Sequence, residues 1–382
     1  MFSRTGTGNL LFPLFIAVIF ALAFQGCQKS MEPMNRESAA GKRKPKDPPP
    51  PPPPFYFSNC TYPGPLPTQN RGQATNVNFT LTYVNSPGGS YPAYTSATTN
   101  GITITAPAGT LNVGSGSIVF TATGTPLEIG IANIYISIAG AASCPLYLIV
   151  VDAPPDPSTC VGDPASSTGS LGCVTLNYRG QNIAYYTVRA KDGKVWLRQN
   201  LGSARVAINA YDEPAFGDFF QYGRWDDGHQ VKTSPVVAGG PSLQNPSHIA
   251  SGYPNFIGTN WWSTGVSSDT WSGTSVSSTN GKDPCAVLGA GWRMPTLADW
   301  QAVNLSEDLS STIAAYMSNL KLPAAGLRYG DGGYYPSGSG NYWSSTASGN
   351  GNAYSFAFDD NYVPFFNPTG RGFGLSCRCV KD

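Results

Sequence analysis

Between residues 55 and 151 the apolar side chains recur at every second position, and no other feature narrows the fold of this chain as far. In "NVNFTLTYV", Val77, Phe79, Leu81 and Tyr83 share one face of an extended strand, because successive side chains of a strand point to opposite sides. "GITITAP", "GSIVFTATG", "IANIYISIAG" and "CPLYLIVVDAP" repeat the alternation at short intervals, with Gly, Pro and Asn between them. Short strands separated by regular turn signals predict a β-sandwich over residues 55–152. No helical period competes. Cys60 and Cys144 stand at the two ends, where a disulfide would staple the first strand to the last. The stretch has no histidine and few acids, so no catalytic constellation is visible in it.

The chain has 382 residues, enough for about two domains with appendages. Its net charge of +1 gives no global field that would select nucleic acid. Charged residues are 12% of the chain, about half the usual share, and all eight tryptophans lie between Trp196 and Trp343. Composition therefore divides the chain near residue 155. In composition the first part resembles the small immunoglobulin-like modules that precede ligand-binding domains on bacterial surface lipoproteins.

The start of the chain predicts export. Arg4 precedes an apolar run, Leu10 to Phe24, that is short for a bilayer span, and the run ends in "FQGC". This resembles a lipoprotein signal: residues 1–26 as signal peptide, cleavage before Cys27, and acylation of the Cys27 thiol. Ordinary secretion with a free Cys27, or an uncleaved anchor, are the alternatives. Residues 27–54 are polar, charged and proline-rich, which predicts a disordered tether. Its "KRKPK" run reads as a solvated segment, and Pro48 to Pro54 as a polyproline II rod of roughly 20 Å. The expected location is the cell envelope, as a surface-exposed outer-membrane lipoprotein held to the membrane through lipid on Cys27.

Residues 153–172 read as a linker, with Cys160 and Cys173 placed to close a local loop. From 173 to 382 the pattern predicts an α+β domain. "CVTLNYRGQNIAYYTVRAKDGKVWLRQNLG" reads as three strands joined by turns at "RGQN" and "KDGK". At "RMPTLADWQAV" the period becomes helical. Thr296 is the expected N-cap, Asp299 stands three residues on, and Leu297, Trp300 and Val303 share a stripe. A second helix is predicted from Ser306 to about Leu320, with Glu307 and Asp308 in its first turn, before a return to hairpins after Pro323.

"TVRAKDGKVWLRQNLG", "CAVLGAGWRMPTLADW", "YWSST" and "GFGLSCRCVKD" resemble the Fibrobacter succinogenes major paralogous domain, in that order, over roughly residues 173–382. The resemblance implies a C-type-lectin-like fold on a surface protein. "RMPTLADW" is also similar to the "RLPTEAEW" corner of formylglycine-generating enzymes. The expected fold class is thus mainly β, with an N-terminal immunoglobulin-like β-sandwich and a C-terminal α+β C-type-lectin-like domain.

Signals for chemistry are sparse. His229 and His248 show no metal-ligand spacing, and no G-x-S-x-G supports a Ser–His–Asp triad. Setting aside Cys27 leaves an odd number of cysteines, and Cys285 is expected to pair with Cys379 or Cys377 on the last strand. A copper oxidase of the formylglycine-generating type is the enzymatic alternative; the closing "CRC" lacks the cysteine spacing of those enzymes. "WDDG" and "FDDN" make Asp226, Asp227, Asp359 and Asp360 weak calcium candidates, whereas "DEP" at 212–214 does not match a lectin sugar-calcium motif. The polar stretch 258–281 carries Trp261, Trp262 and Trp271 and is the first candidate for a ligand-binding loop. Tyr334 and Tyr335, with Phe365 and Phe366, form a second aromatic group. The expected function is non-catalytic recognition of a glycan or surface protein, with a purely structural envelope role as the remaining alternative.

Overall fold

The alternating stretch folds into eight strands: β1 (Tyr56–Phe57), β2 (Gln69–Asn70), β3 (Thr75–Tyr91), β4 (Tyr94–Thr95), β5 (Ile102–Ala106), β6 (Gly109–Gly124), β7 (Gly130–Ile136) and β8 (Cys144–Val151). The structure is a computed structural model that describes residues 54–160, 162–361 and 364–382, all within one compact unit. The expected signal peptide, the expected acylation site Cys27 and the expected tether up to residue 53 lie outside the described residues.

Two sheets form, ordered β1-β3-β6-β5-β4 and β2-β8-β7. Phe79 pairs with Phe120 and Leu81 with Ile118 across β3 and β6, so the apolar face of one strand meets that of the next. Those rings bury against Ile134, Ile136, Leu146 and Leu148 of the other sheet in a single core. Cys60 and Cys144 are disulfide-bonded, tying the segment just after β1 to the start of β8.

Asp152 then joins this half to the rest. Its carboxylate accepts from Arg71 at 2.6 Å and from Arg198 at 2.8 Å, and is buried. Ile149 and Val151 of β8 bury against Ile208, and the Tyr186 hydroxyl donates to the Ala153 carbonyl at 2.9 Å. Within the expected linker, Cys160 is bonded to Cys173 and the Pro164 carbonyl accepts from Arg189.

The second half opens on β9 (Leu171–Tyr178), β10 (Gln181–Arg189) and β11 (Val195–Leu197). The chain's last strand, Val380–Lys381, lies between β11 and the strand Trp292–Arg293, so the end of the chain closes the sheet that its beginning opens. Cys285 is bonded to Cys379, which fastens the same closure. Of the two partners open to Cys285, Cys377 is the one left as a buried thiol.

The Pro295 corner leads into α1 (Leu297–Glu307). The Thr296 hydroxyl accepts from the Asp299 N–H at 3.2 Å, and the Asp299 carboxylate accepts from the Thr296 N–H at 2.7 Å, which is a complete capping box. Trp292 and Trp300 fall in two different cores, one on each side of the corner. Trp300 stacks on Phe356 at 4.9 Å and donates to the Trp343 carbonyl at 3.0 Å. The predicted second helix begins later than expected. Glu307 ends α1, Asp308 adopts a left-handed φ of 60° that stops it, and α2 spans only Thr312–Met317. Glu307 turns inward and accepts from the Lys191 and Asn319 N–H groups, so it serves the interior and not a new helix start.

Candidate functional site

All eight tryptophans are buried, and this overturns the leading ligand-loop expectation. Trp261, Trp262 and Trp271 are 0%, 2% and 1% exposed. Each indole has interior company. Trp261 donates to the Tyr222 carbonyl and Trp271 to the Lys282 carbonyl, both at 2.8 Å. Trp262 lies under the Arg371 guanidinium, 4.4 Å from its ring. The Gly/Ser-rich sequence around them permits the wrapping: a Cβ on Gly223 would stand 2.3 Å from the Trp262 ring, and one on Gly281 would stand 2.3 Å from the Gly223 backbone. The small residues are where backbone meets ring, so polarity along the chain says nothing about which way the rings turn.

The calcium candidates are likewise engaged elsewhere. Asp227 is buried between the Arg224 guanidinium at 2.9 Å and His229 Nδ1 at 2.5 Å; these contacts hold its carboxyl low, at about 2. The same burial drives His229 down to about 4, so it is a neutral core imidazole whose Nε2 accepts from the Gln221 N–H at 2.9 Å. Asp226 accepts from the Arg179 N–H, Asp359 from the Asn361 N–H, and Asp360 from the Thr312 N–H. Among the described residues no group of three or more His, Cys, Asp or Glu stands close enough to hold a metal ion. Cys377 is the one free cysteine among them, and burial pushes its thiol well above the usual range.

An open aromatic cleft does exist, at Tyr334. The two-residue strand Tyr334–Tyr335 pairs with Leu327–Arg328, and the alternation of a strand sends the two rings to opposite faces. Tyr335 therefore leaves the cleft and packs edge-on against Tyr329 at 4.7 Å, both rings partly exposed. Tyr334 turns the other way, packs on Phe219 at 5.1 Å and donates to the Ala325 carbonyl at 3.0 Å. With Tyr211, Glu213, Phe216, Ala324 and Pro336 it lines a cleft of about 450 Å³.

The other wall comes from "NAYDEPAF", residues 209–216. Buried Asp212 anchors it by accepting from Arg205 at 2.6 Å and from the Ile208 N–H at 3.1 Å. Pro214 is the middle residue of a single 3₁₀ turn, Glu213–Ala215, that carries Glu213 outward at the cleft edge. Tyr211 is 53% exposed, and its hydroxyl donates to Asp360 at 3.2 Å, which fixes the ring upright at the rim. Lys232 Nζ sits 4.4 Å from the Tyr334 ring centroid and 3.2 Å from Glu213, so the lysine partly balances the acid.

Of the five expected ligand residues, then, only Tyr334 lines the cleft. Phe366 packs on Phe356 at 5.5 Å, away from this cleft. Tyr211 and Phe216 carry no motif in the sequence, and Glu213 stands there only in a "DEP" that does not match a lectin sugar-calcium motif; their one signal is an acid and two rings flanking a proline. Compared with protein-family models, with curated proteins and with solved structures, the chain matches none of them.

Proposed function

We propose that this is a non-catalytic recognition protein of the bacterial envelope, anchored by lipid on Cys27, that binds a glycan through the Tyr211–Tyr334 cleft. The observation that carries the reading is the cleft itself: the exposed ring of Tyr211 and the partly exposed ring of Tyr334 over buried Phe216, with an exposed carboxylate at Glu213, in a hollow of about 450 Å³. Rings of this kind stack on the apolar face of a pyranose and lose little rotamer freedom on binding. Glu213 accepts from sugar hydroxyls, and the Tyr211 hydroxyl offers a polar edge beside its ring. The immunoglobulin-like module that composition suggests and the C-type-lectin-like domain that the sequence motifs imply fit this reading, with the first as spacer.

The test is a glycan array probed with the full-length chain in detergent, beside its Tyr211→Ala variant. Binding that falls about tenfold or more in the variant, at unchanged melting temperature, supports the cleft. Binding that survives Tyr211→Ala refutes it, and failure to bind any glycan leaves the structural envelope role.

A further inference from the structure

We infer that β7 pairs edge to edge with β7 of a second copy of this chain, antiparallel and centred on Asn133, so that two sandwiches share one continuous sheet. This surface does not rest on the Tyr211 cleft.

The edges of the two sandwich sheets are unequal. β1, β4 and β2 end their sheets with two residues each, too short to template another strand. β7 ends the second sheet with seven residues, Gly130–Ile136. It carries none of the devices that shield such an edge: no charge, no proline, and no break in its register with β8 from Gly130–Val150 to Ile136–Cys144.

Two hydrogen bonds show which backbone groups of β7 are open. The Val151 carbonyl accepts from the Arg71 N–H at 2.9 Å, on the β2 side, so Val150, Leu148, Leu146 and Cys144 turn their backbone groups toward β7. Their partners Gly130, Ala132, Ile134 and Ile136 are thereby satisfied, and Ile131, Asn133 and Tyr135 point theirs away from the sheet. The Tyr135 carbonyl accepts from the Tyr94 hydroxyl at 3.1 Å, from the side opposite β8, which fixes the same direction. The Ile131 and Asn133 backbone groups and the Tyr135 N–H meet no protein partner among the described residues. Such a row of open donors and acceptors is the template for one more strand.

The order of the side chains selects a second copy as that strand. Ile131, Asn133 and Tyr135 are all exposed on the outer face. About a two-fold axis at Asn133, Ile131 faces Tyr135 of the second copy on both sides of the axis, and Asn133 faces its own copy. A β-branched residue opposite an aromatic one is a favourable cross-strand pair, and the two asparagine amides can bond to each other. On the inner face Ala132 meets Ile134 of the second copy, which extends the sandwich core that both residues already join. The open run is bounded at both ends. Gly130 stands at the joint with the second half, where a Cβ would lie 3.6 Å from the Ile208 carbonyl oxygen, and Tyr94 reaches to Tyr135. The self-complementary stretch Ile131 to Tyr135 is what remains between them. The Tyr135 carbonyl keeps a second lone pair for the Ile131 N–H of the second copy.

The test is cysteine cross-linking of the full-length chain in detergent, with the unsubstituted chain as blank. In a hydrogen-bonded antiparallel pair, facing Cα atoms stand about 5.5 Å apart, within the reach of a disulfide. Asn133→Cys is therefore expected to oxidise to a covalent dimer at least about tenfold faster than Val113→Cys, at an 81% exposed residue of the other sheet. Equal rates would overturn the inference. Sedimentation in density-matched detergent is expected to show the unsubstituted chain passing from monomer to dimer as its concentration rises. Asn133→Lys sets like charges face to face on the axis, so it is expected to abolish that dimer at unchanged melting temperature. An unsubstituted chain that stays monomeric up to about 1 mM, or a dimer that survives Asn133→Lys, would also overturn the inference.

Discussion

Replacing Trp262 with alanine tests whether the loop indoles hold the interior or wait for a ligand. The ring is 2% exposed, and it packs against Tyr222 at 5.7 Å and under Arg371 at 4.4 Å. A buried indole removes about 150–250 Å² from water, worth about 4–6 kcal/mol at ~25 cal/mol per Å². The cavity left behind is not refilled by its neighbours, because backbone walls it at Gly223. Arg371 loses a desolvated cation–π contact of about 2 kcal/mol, but keeps Asp269 at 2.7 Å and the Val266 carbonyl at 2.9 Å, so no charge is stranded. Cavity studies of large-to-small changes place the total at about 3–5 kcal/mol, a large share of a stability of about 5–15 kcal/mol. Urea unfolding followed by far-UV circular dichroism measures it as a lower midpoint at unchanged slope. Tyr335→Ala, at a ring 49% exposed, serves as control and is expected to cost less than about 1 kcal/mol. A Trp262→Ala loss below about 1 kcal/mol would refute the core assignment and return the indole to the surface.

Two further outcomes follow from the charges and thiols. Arg293, Lys194 and the Thr296 hydroxyl hold the Asp299 carboxyl well below the usual carboxylate range, despite a burial cost that pushes the other way. Its stabilisation is present above the unfolded value near 3.9 and is lost as pH falls below that. Asp299→Asn should therefore lower stability by about 2 kcal/mol at pH 7, with the gap to wild type narrowing steadily as pH falls below about 4; a constant gap in thermal melts from about pH 4 downward would count against the ion-pair account. Cys377 is buried with its thiol pushed high, so alkylation mapped by peptide mass spectrometry should reach it only in urea. Labelling of the native protein within minutes would contradict its burial.

The sandwich strands and the Pro295 corner were legible because each rests on local rules. Alternation at Val77, Phe79, Leu81 and Tyr83 is a property of neighbours along a chain, and so is the Thr296–Asp299 cap. The start of α2 was misread for the same local reason. Glu307 and Asp308 resemble a helix N-terminus until the Lys191 and Asn319 N–H groups, far along the chain, claim Glu307 from inside.

By itself, the sequence determined the mainly β architecture, the pairing of Cys60 with Cys144 and of Cys160 with Cys173, and the capped corner. Only tertiary structure decided that Cys379 and not Cys377 meets Cys285, since residues two apart on a strand share a face and differ only in position along it. It also decided that Trp261, Trp262 and Trp271 turn inward while Tyr211 stays out. The loops that carry these rings have no period, so their direction is set by the backbones they meet across the fold, at Gly223 and Gly281 for the indoles and at the Asp212 anchor for the tyrosine.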